Sequence, residues 1–278
     1  MLTTTRKTTL VRCSVFSIIF LSLSILAWQN TYSTKFIRHI VPVSNIEQPK
    51  SLTDLSILLI SDLHIRDGQR SLNRWYKLLD SITTTDADYI LFAGDFIGDV
   101  ADQTEINHIR SKFIESLRQI NRPFALVLGN HETWTGKQNW LNLFRSAGLP
   151  VLENETIILK GDSPICVIGV GDSYSGFSRK VEVPQGCAVL PQIFLTHDPQ
   201  AAFENTENGV WLAGHTHCGQ IRLPFIGAPW VPSSAPIEAH CGLYIDDSKI
   251  VFTSSGVGTS LLPIRFLTQS QIELLTFQ

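Results

Sequence analysis

Between residues 55 and 150, short apolar runs alternate with segments whose apolar residues recur every three or four positions. "LSILLISD" (55–62), "DYILFAGD" (88–95) and "PFALVLGN" (123–130) are continuous runs of strand length. Between them Leu72, Trp75, Leu78, Leu79 and Ile82 predict an amphipathic helix over 71–82. Ile106, Ile109, Phe113, Leu117 and Ile120 predict a second, and a shorter helix is expected near Lys137–Ala147. Such alternation implies a parallel sheet covered by helices. After Pro150 the texture changes to "ETIILKG", "PICVIGVGD", "PQIFLTHD", "GVWLAGH", "CGLYID", "KIVFTSSG" and "QIELLTF", short strand-like runs separated by turn residues. They predict a second, mostly β layer packed on the first.

The N-terminus departs from this texture. Arg6, Lys7 and Arg12 precede "CSVFSIIFLSLSILAW" (13–28), uncharged and without a polar face. As a helix this stretch would be roughly 24 Å long, a little short of a hydrocarbon core of about 30 Å. Arg12 can snorkel at one end, and Trp28 and Tyr32 suit the other interface. No small-residue cleavage site follows, so an uncleaved anchor is favoured over a removed signal peptide, and both over a buried core helix. The expected organisation is an anchor segment over 1–28, a linker over 29–54 with an opening strand at 36–43, and a catalytic domain over 55–278. Three basic residues before the span against Lys35 and Arg38 after it favour a single-pass inner-membrane protein with an extracytoplasmic body.

Net charge changes the picture little. At −3 over 278 residues there is no basic excess to attract a phosphate backbone, so no nucleic-acid partner is expected. Cys166, Cys187, Cys218 and Cys241 match no zinc-knuckle spacing, and their spacing leaves disulfides and free thiols equally open.

Candidate chemistry gathers at the strand ends. The first run closes in Asp62-Leu63-His64, the second in Gly94-Asp95, the third in Gly129-Asn130-His131-Glu132; later runs close in His197-Asp198 and in His215-Thr216-His217. In open α/β sheets, ligands bind at the carboxyl ends of the strands, so five of the eight histidines converge there. Singly, each has a dull explanation as a cap, an Asx turn or a core histidine. Jointly these explanations fail. Carboxylate, imidazole and amide donors without thiolate suit Mn²⁺, Fe²⁺ or Zn²⁺ in a catalytic rather than a structural site. Two such ions bridged by a carboxylate can clamp phosphoryl oxygens and generate a hydroxide for in-line attack. Gly94, Gly129 and Gly214 are expected to let the backbone turn sharply beside them.

The series "SDLH", "GD", "GNHE", "HD", "GHTH" resembles the calcineurin-like metallophosphoesterase superfamily, and "GHTHCGQIRLP" with "GVGTSLLPIRF" resembles its membrane-associated bacterial phosphodiesterase branch. The likeness implies a four-layer αββα fold with a di-metal centre between two sheets. It implies that Asp62, His64 and His217 hold one metal, that Asn130, His197 and His215 hold the other, and that Asp95 bridges them. His131 would contact the phosphate and either protonate the leaving group or stabilise the transition state. Two positions depart from the pattern: Cys218 stands where glycine is usual, which questions how closely that loop approaches the metals, and Glu132 stands where aspartate is usual.

The expected activity is hydrolysis of a phosphoester or pyrophosphate bond. An inactive scaffold on the same fold should have lost ligands, and a phosphatase acting on proteins or soluble substrates has no surface signature in the sequence. "RLPFIGAPWVP" (222–232) places Phe225, Ile226 and Trp230 just after the last histidines. These residues form either a lipid-facing rim or a loop folded under its own side chains. Together with the anchor they favour a lipid-linked substrate, phospholipid-like or a nucleotide-linked acylated sugar such as UDP-2,3-diacylglucosamine.

Overall fold

The computed structural model describes residues 2–44, 46, 50–66 and 69–278; the side chains of residues 1–11 and 13, including Arg6, Lys7 and Cys13, lie outside the described residues. Helix α1 (Leu2–Tyr32) contains a stretch, Ser14–Tyr32, long and apolar enough to cross a membrane. Its 19 residues make roughly 28 Å, because the helix continues four residues past Trp28. Strand β1 (Lys35–Val41) follows. It lies inside the segment read as a linker, yet it pairs along its whole length with a strand of the first sheet.

Strands β2 (Ser56–Ile60), β3 (Tyr89–Ala93), β4 (Phe124–Val127) and β5 (Val151–Leu152) run parallel. They are linked by α2 (Gln69–Thr83), α3 (Gln103–Leu117), and the pair α4 (Asn130–Trp134) and α5 (Lys137–Ser146). Helix α2 buries all five residues of its predicted stripe. Helix α3 starts where Asp102 accepts a hydrogen bond from the Glu105 amide at 2.8 Å, which satisfies one of the free N–H groups of the first turn.

The second sheet holds β6 (Glu155–Leu159), β7 (Ile165–Gly169), β8 (Gln192–Leu195), β9 (Gly209–Ala213), β10 (Gly242–Ile245) and β11 (Lys249–Thr253), in the order β10-β11-β9-β8-β7-β6. The run "QIELLTF" was expected in this layer. It forms β12 (Gln271–Phe277) and crosses back into the first sheet, between β1 and β2, so that sheet reads β1-β12-β2-β3-β4-β5. The reason is apolarity on both faces: Ile272 and Leu274 meet the helical side, Leu275 and Phe277 the inter-sheet side. Only an interior strand with cover above and below buries both sets.

Three apolar layers result. One lies between the first sheet and α2, α3 and α5; one lies between the sheets, where Leu59, Leu91, Val127, Val167, Leu195 and Leu212 meet; one covers the outer face of the second sheet. The fold is thus a mixed α/β sandwich with two central sheets. Its fourth layer is reduced among the described residues to α6 (Gln200–Glu204) and to loops, one of them tied to β7 by a Cys166–Cys187 disulfide.

Candidate metal centre

Both sheets deliver their strand ends to one edge. From the first sheet come Asp62 and His64 after β2, Asp95 after β3, and Asn130 and His131 at the start of α4 after β4; from the second come His197 after β8 and His215 and His217 after β9. All eight are buried. Asp62, His64, Asp95, His215 and His217 have positive φ, between 44° and 68°. Residues with a Cβ are uncommon in this region, and such strain gathers at functional sites. It turns each side chain back from its strand end into the space between the sheets.

Three groups of donor atoms lie within metal-binding reach of one another: Asp62, His64 and His217; His64, Asp95 and His131; Asp95, His197 and His215. The Asp95 carboxylate belongs to two of them, with Oδ2 at 3.3 Å from His197 Nε2 and 3.6 Å from His64 Nε2. Asn130 Oδ1 lies 3.1 Å from His197 Nε2. Backbone carbonyls fix two of the rings. His197 Nδ1 faces Ala93 O at 2.6 Å and His215 Nε2 faces Pro232 O at 2.5 Å, so each donates there and turns its other nitrogen inward, 3.2 Å apart.

Asp62 tests whether these residues suit a cation. Its Oδ2 accepts from Ser61 Oγ and from the His215 amide, whereas Oδ1 is buried with no hydrogen-bond partner. Around that oxygen stand His217 Nε2 at 3.5 Å and His64 Nε2 at 3.8 Å, themselves 3.0 Å apart. A buried, unpaired carboxylate oxygen is costly, and one carboxylate with two converging imidazoles is a donor set for a borderline divalent ion. Burial alone would raise the Asp62 and Asp95 pKa values, but the surrounding imidazoles hold both well below the usual carboxylate range. Burial pushes the His131 and His217 pKa values down, against the neighbouring Asp95 and Asp62 carboxylates, which raise them.

Four further residues complete the site, of which only Glu132 was singled out in the sequence. Glu132 is fully buried, and its carboxylate accepts backbone N–H bonds from Gly129 and Asp95 at 2.9 Å, Phe96 at 2.9 Å and Ile97 at 3.2 Å. It thereby fixes the loop that carries Asp95. Asp99 Oδ1 stands 3.6 Å from His131 Nδ1 and lines the same cavity. The Tyr174 ring packs on His215, with centroids 4.6 Å apart. Arg265 is buried behind the site and donates to the carbonyls of Ser255, Gly256 and Gly258; its Nη2 also lies 3.1 Å from His217 Nδ1. An acidic residue one place after Asn130-His131 was the one legible hint, and its spacing gave no sign of four amide partners.

The glycine expectation needs correction. Gly94 alone of the three has a positive φ, +84°. Gly129 and Gly214 are required by proximity, since a Cβ would run into the Asp95 carboxylate at the first and the Ser61 hydroxyl at the second. At position 218 the usual glycine has a conformational reason, φ of +53°, and here Cys218 accepts that backbone and forms a disulfide with Cys241. The loop still brings His217 into the donor group.

From the donor set a cavity of about 400 Å³ opens outward, floored by Asp95, Asn130, His131 and His215 and walled by Trp134, Tyr174, Ile221, Trp230, Leu261 and Leu262. Phe225 and Ile226 project beyond it, fully and three-quarters exposed, so this segment is not folded under its own side chains.

A two-sheet sandwich with carboxylate, amide and imidazole donors converging between its strand ends defines the class of metal-dependent phosphoesterases. The calcineurin-like phosphoesterase profile matches residues 55–219, and the chain belongs to that family. It is 29% identical to the uncharacterized metallophosphoesterase YkuE of Bacillus subtilis over 243 residues, covering 83% of this chain and 81% of that one. It is 31% identical to the phosphodiesterase YaeI of Escherichia coli over 198 residues, covering 68% and 69%. A transmembrane protein with a metallophosphoesterase domain from Danio rerio is 27% identical over 258 residues; the match takes in 84% of this chain but 54% of that protein.

Proposed function

We propose that this chain is a membrane-anchored hydrolase of phosphoester or pyrophosphate bonds in lipid-linked substrates, holding two divalent ions. Asp62, His64 and His217 would hold one ion and Asn130, His197 and His215 the other, with Asp95 shared. The observation that carries this reading is the orphaned Asp62 Oδ1, buried between two imidazole nitrogens. When bound, the ions supply Lewis-acid charge for the phosphoryl oxygens and an activated water as nucleophile.

The chain's own groups do the remaining work. Glu132 holds the Asp95 loop still. His131 directs Nδ1 towards Asp99 and Nε2 towards the Asp95 side; the two carboxylates oppose the effect of burial and favour the imidazolium, the form that would give its Nε2 proton to the departing oxygen. Trp134, Tyr174 and the walls of the cavity exclude water and receive the organic part of the substrate.

The lipid component rests on how the rim hangs on α1. Gln220 Nε2 donates to the carbonyls of Ser260 and Leu262 at 3.0 and 2.9 Å, lacing loop 220–227 to loop 260–267. The Arg265 amide donates to Thr31 Oγ1 at 2.7 Å and the Ser270 amide to Asn30 O at 2.9 Å, tying that unit to the end of the membrane-length helix. An apolar mouth fixed beside an anchor favours a substrate with acyl chains. The relatives named as transmembrane proteins support the anchor, and the two disulfides support an oxidising, extracytoplasmic compartment.

Metal content and turnover of bis-p-nitrophenyl phosphate by the full chain in detergent test the reading. Asp95→Ala should lose at least one ion together with activity; two bound ions and normal turnover would refute the assignment. Phe225→Ser/Trp230→Ser should keep near-normal turnover of the aryl diester and lose much of its kcat/KM on a phospholipid in vesicles, since each buried rim side chain is worth about 1.5–3 kcal/mol. Equal losses on both substrates would refute the lipid component.

A further inference from the structure

A second cavity, of about 780 Å³, lies behind His64, between the last turns of α1 and helix α2. Its α2 wall carries Arg70, Arg74 and Lys77, spaced i, i+4 and i+7 on one helical face. Arg66 adds a fourth cation, and no carboxylate lines the cavity among the described residues. Arg70 and Lys77 are exposed. The Lys and Arg ion pairs of the described residues all lie elsewhere. Arg74 is braced by the carbonyls of Thr31 and Val257 at 3.0 and 2.9 Å, and its buried Nε has no partner. The opposite wall is Trp28 and Tyr32, one turn apart on α1 with ring centroids 5.5 Å apart; the Arg74 guanidinium stands 5.9 Å from the Tyr32 ring.

Among the described residues these four cations have no carboxylate partner; they repel one another, and an anion in the concavity would relieve that repulsion. Trp and Tyr at the end of a membrane-length helix mark head-group depth, and basic pockets at that depth hold lipid phosphates. None of these groups belongs to the catalytic cavity, which opens at His131; this one reaches only the back of His64.

We infer that this cavity is a binding site for the phosphate head group of an anionic phospholipid, whose acyl chains lie along α1 beside Trp28. The bound lipid is a resident of the surrounding membrane leaflet and not the hydrolysed substrate. It seats the domain by a second point besides the helix, through Arg70 and Lys77 from outside and Arg66 and Arg74 from within. The inference rests on α1 lying in a bilayer, as proposed above.

The test is native mass spectrometry of the full chain released from nanodiscs of phosphatidylcholine with one-tenth phosphatidylglycerol. The wild type should retain phosphatidylglycerol well above its share of the bilayer. Arg70→Gln/Lys77→Gln should lower that retention by about thirtyfold, from the usual contribution of two basic residues near a membrane surface. A charge-matched control, Arg118→Gln/Lys160→Gln, removes two exposed cations outside the cavity and should retain lipid as the wild type does. Far-ultraviolet circular dichroism verifies that each variant is folded. Unselective lipid retention by the wild type, or equal loss in the control, would overturn the site. So would loss of the retained lipid when inorganic phosphate is added in large excess, because the cavity would then be a site for free anions. Carbonate extraction of membranes reports the anchor independently: release of the chain would refute the anchor itself, whereas a retained chain with unselective lipid refutes the head-group site alone.

Discussion

Replacing Glu132 by glutamine changes one oxygen to an NH2 group and should disable the site from outside the donor set. In the wild type each carboxylate oxygen accepts two backbone N–H bonds, Oε2 from Gly129 and Asp95, Oε1 from Phe96 and Ile97. The amide keeps one acceptor. Whichever pair of N–H groups meets the NH2 is left facing a donor in a fully buried position. At about 1–3 kcal/mol for each orphaned buried donor, Glu132→Gln should destabilise the metal-free protein by about 2–6 kcal/mol. One orientation frees the Asp95 amide itself, so the loop bearing that carboxylate should shift and metal affinity should fall with stability. Glu132→Asp keeps two acceptor oxygens and should recover much of both. Thermal unfolding in chelator, metal content and turnover of an aryl phosphodiester measure the three effects. Wild-type stability and metal content in Glu132→Gln would refute the reasoning, since they would show that the four amides do not depend on the carboxylate.

His131→Ala should lower kcat by about 10²–10⁴-fold while metal content stays near wild type; metal loss comparable to that of Asp95→Ala would make His131 a ligand instead. Cys218→Ser should retain most activity on an aryl diester at 25 °C, because the chemistry needs no thiol, but it opens the link to Cys241 across 23 residues and should cost about 3 kcal/mol in chemical unfolding; complete inactivation with metals retained would force a chemical role. Burial pushes the Glu273 carboxyl up to about 7, against hydrogen bonds from Ser254 and Ser255. A raised carboxyl favours the folded state below its ordinary value, and that stability is lost as pH rises through about 7. Relative to Glu273→Gln, the wild type should therefore lose up to about 3 kcal/mol between pH 4.5 and 7; parallel stability curves would refute this.

The strand ends were legible because one residue beside a short apolar run decides both the turn and the donor. Asp62, His64, Asp95, Asn130, His131, His197, His215 and His217 could be read in order, and the structure brings all eight to one edge. What escaped depends on pairings across long separations. The return of β12 to the first sheet is a matter of which two-faced apolar run fills an interior slot. The four-amide role of Glu132 depends on a loop 37 residues upstream. The disulfide partners and the place of Arg265 behind His217 carry no local periodicity at all.

The interior position of β12 also bears on how the chain is made. Synthesis delivers β2 more than 200 residues before β12, yet among the described residues β1 has no hydrogen-bonded neighbour in its sheet other than β12. Until residues 271–277 emerge, the first sheet has a vacant slot beside the apolar strand β2, and, on the proposed anchoring, α1 is already available for insertion. On that proposal the body would approach the membrane with the slot open, exposed to wrong partners at an unpaired edge. Biogenesis is expected to be governed by how long this gap stays open, so slowing translation over 254–270 should increase aggregation of the nascent chain even though no residue of the finished protein is altered.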